Sequence, residues 1–202
     1  MKIALIGASG TVGGKVAEAL QKDHDVIRLG SQSGDIRMDM TDTASIEAAF
    51  AQTGQIDAVV STAGKVAFNS LQDMTEEEWA LSLGNKLMGQ INLTRIASRH
   101  LSDGGSVTLS TGIIADHPIS MGIAATTVNN ALHGFVRAAA LEMPRGQRIN
   151  AVSATVLRES LGAYGPFFPG FPAIAGADAA QGFVRAVLGV ETGQVFRLYE
   201  GL

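Results

Sequence analysis

Apolar residues along this chain fall into two alternating regimes: short unbroken runs, and longer stretches in which they recur three or four positions apart. Unbroken runs suit strands covered on both faces of a parallel sheet, and the longer period marks amphipathic helices. Lys2–Ile6 (KIALI) reads as the first strand, and Val12, Val16, Ala19 and Leu20 follow at helical spacing. Asp25–Gly30 (DVIRLG) is a second strand, residues 43–52 a helix ending near Gly54, and residues 57–62 (DAVVST) a third buried strand. Residues 75–78 (TEEE) form a capping-box start, with Thr accepting from the backbone and Glu reaching back. The helix they open passes Trp79, Leu83, Leu87 and Ile91 and ends near His100. Residues 105–111 (GSVTLST) make a fourth strand, and an alanine-rich helix over 124–143 is closed by Pro144. A strand at 148–154 (RINAVSA), a helix at 178–188 and a last strand at 194–199 complete the series. This alternation predicts an α/β fold: a doubly wound parallel sheet of the Rossmann type, three layers α/β/α, in a single domain over 1–202. The one irregular stretch, 161–176, is rich in Gly, Pro and Phe, and reads as a plug on the core or a flap over a site.

Composition narrows the function. A chain of 202 residues is long enough to bury a real core. Charged residues make up 17%, the formal charge is -4, and no basic block suggests a nucleic-acid groove or an anionic membrane surface. With no cysteine there is no disulfide framework or thiol nucleophile, and no two His lie at metal-ligand spacing. The first apolar run breaks at Gly7, too short for a signal peptide, and no segment is long enough to span a bilayer. A cytoplasmic protein acting on a small molecule, without a metal, is the expectation.

The candidate chemistry begins at Gly7, Gly10 and Gly13, three apart, with Ala8, Ser9, Thr11 and Val12 between them. A strand that turns at once into a helix while a diphosphate approaches its backbone needs residues without a Cβ at the turn, at the contact and where helix meets strand. The helix N-terminus then offers free N–H groups to the phosphates. An ordinary βα turn is the bland alternative. After the second strand stand Gly30, Ser31, Gln32 and Ser33, with no acid until Asp35. A carboxylate there would take the ribose 2′-hydroxyl of NAD, so its absence tilts the choice from NAD toward NADP, with Ser31 and Ser33 as donors and Arg28 or Arg37 as cations. Ala63 and Gly64, at the end of the third strand, fall in the crevice where doubly wound sheets bind ligands.

On these residues the whole chain resembles the short-chain dehydrogenase/reductase family. GASGTVG matches its cofactor glycines; DMTD, with Asp39 and Met40, its acidic turn beside the adenine; and STAG, with Thr62, Ala63 and Gly64, its small-residue motif. GSVTLST is similar to its serine-bearing strand, ALHGFVRAAALEM to its interface helix, RINAVSAT to the strand that normally ends in Pro-Gly, and TGQVFRLYEG to its final strand. The resemblance implies six or seven parallel strands, an NADP or NAD cofactor, and a homodimer or homotetramer built on the helices around Leu87 and Leu132.

The catalytic half departs from the family. The resemblance puts Ala125 where the general-acid Tyr belongs and Asn129 where the ribose-holding Lys belongs. Asn129 can hydrogen-bond a ribose but carries no charge to shift a pKa. The family serine falls on Thr111, with Ser110 adjacent, so a hydroxyl to hold a carbonyl is expected there. The family's helix Asn maps to Asn85 or, if Gly89 sets the register, to Lys86, and Pro-Gly is replaced by Ala154-Thr155. Three groups could supply the proton: Lys86 on the helix lining the site, Tyr164 in the irregular stretch, and His117 beside Asp116. His133 is expected to face solvent or a partner helix. Two functions follow: an NAD(P)-dependent oxidoreductase of a small carbonyl or alcohol with a displaced proton donor, or a catalytically silent NADP(H)-binding sensor or interaction protein.

Overall fold

Unbroken and periodic segments alternate, and the strands they make close into one seven-stranded sheet in the computed structural model, which describes residues 1–199. The strands are β1 (Lys2–Ile6), β2 (Asp25–Gly30), β3 (Ile36–Arg37), β4 (Ile56–Ser61), β5 (Leu101–Gly112), β6 (Arg148–Ala154) and β7 (Val195–Arg197). Their order is β3-β2-β1-β4-β5-β6-β7, and every neighbouring pair is parallel. The winding reverses between β1 and β4, where connections leave in opposite directions and open a crevice at the carboxyl ends of the strands.

The helices are α1 (Thr11–Leu20), α2 (Thr43–Thr53), α3 (Glu76–Ser82), α4 (Gly89–Ala97), α5 (Ile123–Ala139), the single turn α6 (Leu161–Tyr164) and α7 (Gly176–Leu188). The pleat of β1 divides the core between the two faces of the sheet. Ala4 and Ile6, with Val59 and Leu109, meet Phe50, Leu93 and Leu132 from α2, α4 and α5. Ile3 and Leu5, with Val60 and Val152, meet Val16 and Leu20 of α1 and Phe183 of α7.

Several features differ from the pattern-based reading. The helix expected from Thr75 to near His100 is α3, a π-helical turn over Leu83–Met88, and α4. Gly89 lets this segment approach Met40 so closely that a Cβ there would lie 3.1 Å from Met40 Cε. The helix expected to reach Met143 ends at Ala139, and separate turns run up to Pro144. A two-residue edge strand, β3, was too short to show any period. The last strand covers only Val195–Arg197, and Glu200 and Gly201 of its motif lie outside the described residues. The capping box forms as expected: Thr75 Oγ1 accepts from the Glu78 amide at 3.2 Å, and Glu78 Oε2 from the Thr75 amide at 2.9 Å.

The irregular stretch is tied down at its base. Leu157 bridges to Ile174, Thr155 Oγ1 donates to the Pro172 carbonyl at 2.8 Å, and the Glu159 carboxylate accepts from the Gly176 amide at 2.9 Å. Its tip folds into α6 and short 3₁₀ turns over the carboxyl ends of β5 and β6.

Candidate functional site

The turn from β1 to α1 lies at the reversal of the sheet. Gly7 has φ +86°, and a Cβ on Gly13 would lie 2.0 Å from the Gly7 carbonyl oxygen, so helix and strand meet at backbone distance. Thr62 Oγ1 locks the contact by donating to the Ile6 carbonyl at 2.9 Å. No side chain caps the N-terminus of α1 and its first turn holds no acid, so the opening amides remain available to an anion.

Two cavities flank this turn. The larger, about 770 Å³, runs from Gly7, Ala8 and Ser9 past Ser31, Ser33 and Asp39 to Ala63 and Gly64. Arg28 lines it and Arg37 does not. Asp35 also lines it, but its carboxylate accepts from the Arg28 amide at 2.8 Å, while Ser31 and Ser33 form the exposed rim. Hydrogen bonds from the Thr41 hydroxyl and amide hold Asp39 below the usual carboxylate range. Met40 closes the floor, 7% exposed.

The smaller cavity, about 360 Å³, adjoins the glycine turn at Gly10, Thr11, Val12 and Gly13. It is bounded by Thr62 and Phe68 after β4, by Gly112, Ile113 and Ile114 after β5, and by Thr155, Val156 and Leu157 after β6. Ser160, Tyr164 and Phe168 of the irregular stretch cover it, so that stretch is a roof over the site.

The expected catalytic residues separate. Thr111 Oγ1 is paired with His133 Nε2 at 2.9 Å and lies 3.4 Å from the Val152 carbonyl; neither Thr111 nor Ser110 lines either cavity. The pleat turns Thr111 toward α5, and it is Gly112 that opens to the site. A Cβ on Gly112 would stand 3.9 Å from Asn129 Nδ2. Ser110 is held by its backbone between both ends of the Gln90 amide, at 3.0 and 3.2 Å. His133, expected to face solvent or a partner, is 3% exposed, and burial lowers its pKa so that it stays neutral at pH 7. Leu132 is likewise fully buried inside the subunit and cannot serve an interface. Asn129 is 2% exposed, and its Oδ1 has no hydrogen-bond partner. Ala125 is packed with Ile113, Ile114 and Tyr199.

Lys86 sits on the π-helical turn, and its stem crosses Gly64: a Cβ on Gly64 would lie 2.7 Å from Lys86 Cγ. Asn85 Oδ1 accepts from the Lys65 amide at 2.7 Å and fixes that turn to the end of β4. Desolvation lowers the Lys86 pKa to about 8. Tyr164 is half exposed at the roof, whereas His117 packs edge-on against Tyr199 and Phe171 and does not line the cavity. Sequence reasoning missed Gly112, Phe68, Ser160 and Phe168. Only the two phenylalanines left a signal, as apolar residues in segments with no helical or strand period.

Comparison with known proteins agrees with this geometry. Residues 3–188 match the family model described as Enoyl-(Acyl carrier protein) reductase. The crystal structure of the protein lin1944 from Listeria innocua is 45% identical, superposes with a TM-score of 0.97, and is matched over 98% of this chain and 100% of that one. A short chain dehydrogenase from Burkholderia cenocepacia, crystallised with NADP, has the same fold at 20% identity, with a TM-score of 0.88 over 96% of this chain and 94% of that one. An uncharacterized oxidoreductase of Methylorubrum extorquens is 25% identical over 177 residues, 75% of this chain and 71% of that protein. Several other curated relatives are matched over only 36% to 62% of their own length. With the glycine turn, the reversed sheet and the matched model together, the chain belongs to the short-chain dehydrogenase/reductase family of NAD(P)-dependent oxidoreductases.

Proposed function

We propose that the protein is an NADP(H)-dependent oxidoreductase that interconverts a small carbonyl compound and its alcohol, with Lys86 as the proton-bearing group. The observation that carries this reading is a desolvated ammonium beside Gly64, lowered to about 8 with no acid raising it back. An acid with a pKa near the working pH is the most effective proton donor.

The cavities fit the cofactor. The amides of Thr11, Val12 and Gly13, with Ser9 and Gly10 beside them, would take its pyrophosphate, and Asp39 and Met40 its adenine. Ser31, Ser33 and the Arg28 guanidinium would take the 2′-phosphate; Arg37, paired with Gly30 at the sheet edge, does not line that cavity. Thr62, Ala63 and Gly64 would border the nicotinamide half, and the orphaned Asn129 Oδ1 asks for a ribose hydroxyl. When bound, the reduced nicotinamide supplies a hydride to the carbonyl carbon. Lys86 Nζ gives its proton to the carbonyl oxygen and regains one from water at its partly open face. Thr111 and Ser110 act at one remove, by fixing the strand end at Gly112. We also propose assembly into dimers or tetramers through the exposed faces of α4 and α5, and a cytoplasmic location; light scattering checks the first.

Reduction of a ketone panel by NADPH tests the mechanism. The rate should hold steady below pH ~8 and fall above it, as Lys86 loses its proton. Lys86→Gln should lose about 10² to 10⁴-fold in kcat/KM, roughly 3 to 5 kcal/mol of barrier, with NADPH affinity unchanged. An unaltered rate in that variant, with loss in Tyr164→Phe instead, would move the donor to the roof. A second reading, a silent NADP(H) binder, is favoured by Ala125, which leaves no proton at the family's tyrosine position. It predicts tight NADPH binding with no turnover of any ketone.

A further inference from the structure

We infer that the smaller cavity selects an uncharged, ring-bearing carbonyl compound and rejects carboxylate or phosphate groups in the part of the substrate that enters it. This rests on the oxidoreductase reading and names the substrate class for that site. Apart from the opening amides of α1, which the cofactor's pyrophosphate would occupy, the described residues bounding the cavity offer an anion no charged partner. Its floor is aliphatic, from Ile113 and Ile114, both under 8% exposed. Phe68 and Tyr164 stand 39% and 50% exposed at its mouth on opposite segments of the chain, the placing of aromatic side chains that meet a flat apolar ligand.

The hydroxyls sharpen the choice. Thr62 donates to the Ile6 carbonyl and Thr155 to the Pro172 carbonyl, so neither is free to donate to an anion. The cations near the roof are placed elsewhere: Arg158 donates to the Ala173 carbonyl, and Lys86, which would serve the reacting carbonyl, does not itself line the cavity. Neutral hydroxyls on Thr11, Ser160 and Tyr164 remain, enough to orient an ester or ether oxygen and too weak to replace the hydration of a carboxylate. The volume, about 360 Å³, holds a one- or two-ring molecule.

The reaction this implies is balanced: hydride from NADPH to the ketone carbon and a proton to its oxygen give the secondary alcohol and NADP⁺. Methyl 4-acetylbenzoate and 4-acetylbenzoate test the selection, since they differ by one methyl group and the charge it masks, placed across the ring from the ketone. Saturation-transfer NMR with and without NADPH, alongside reduction followed through NADPH absorbance, should favour the ester by about a hundredfold or more. Phe68→Arg, a change at the exposed mouth, should cut that preference at least about tenfold by giving the carboxylate a partner. Equal or tighter binding of the carboxylate, or binding of neither compound, overturns the inference. Ester-selective binding without hydride transfer supports the selection and sinks the redox reading alone.

Discussion

A single methyl group at residue 13 would collide with the Gly7 carbonyl oxygen at 2.0 Å and with Thr62 Oγ1 at 2.6 Å. Neither can yield without parting α1 from β1, because Thr62 is itself bonded to the end of β1. Gly13→Ala should therefore cost about 1 to 3 kcal/mol in a urea melt and abolish the calorimetric signal of NADPH, since the amides it displaces are those that would face the pyrophosphate. His133 sets a second prediction at this scale. Burial keeps its folded pKa below that of a free imidazole, so the folded protein holds it neutral while the unfolded chain takes up a proton near pH ~6.5. The stability it contributes is present above that pH and declines as pH falls through it. Tm should drop between about pH 7.5 and about pH 5.5, and His133→Gln should remove part of the drop.

Among the elements, α3 offers the clearest local test. Its first turn is closed by the reciprocal pair Thr75 and Glu78, so Thr75→Ala should cost roughly 1 kcal/mol by thermal melt while leaving NADPH affinity intact. That cap was legible in TEEE because its partners are three residues apart. The π-helical turn that follows was not, since no local spacing marks it and the segment it leads into packs on Met40 from a distant part of the chain. The same limit explains Thr111. The motif GSVTLST identifies β5 and its hydroxyls correctly, but the face taken by the last residues of a strand depends on what packs beyond it, and here His133 on α5 claims the Thr111 hydroxyl. Lys86 was legible as one of two registers, and its stem lies against Gly64, which is the contact the proposed role of Lys86 builds on.

For the whole molecule, strand and helix periods sufficed to predict a doubly wound parallel sheet, because burial on both faces leaves unbroken apolar runs that survive in the sequence. The smaller cavity as a whole left no such trace. Its walls come from the glycine turn, from the ends of β4, β5 and β6 and from the roof, five segments brought together only by the order of the sheet. The family's Tyr-to-Lys pair, by contrast, would come from one helix turn, so the proposal that Ala125 and Asn129 stand in its place could be made without any structure.

The strand that leads into the glycine turn is hydrogen-bonded on both sides, to β2 and to β4. Amides in such a position exchange with solvent only when the entire sheet comes apart, not through local fraying. A nucleotide clasped at that turn should thus slow deuterium uptake of Ile3–Ile6 and Val59–Ser61 by one common factor, about a hundredfold at one hundred times its Kd, while the roof over the neighbouring chamber keeps its own faster clock.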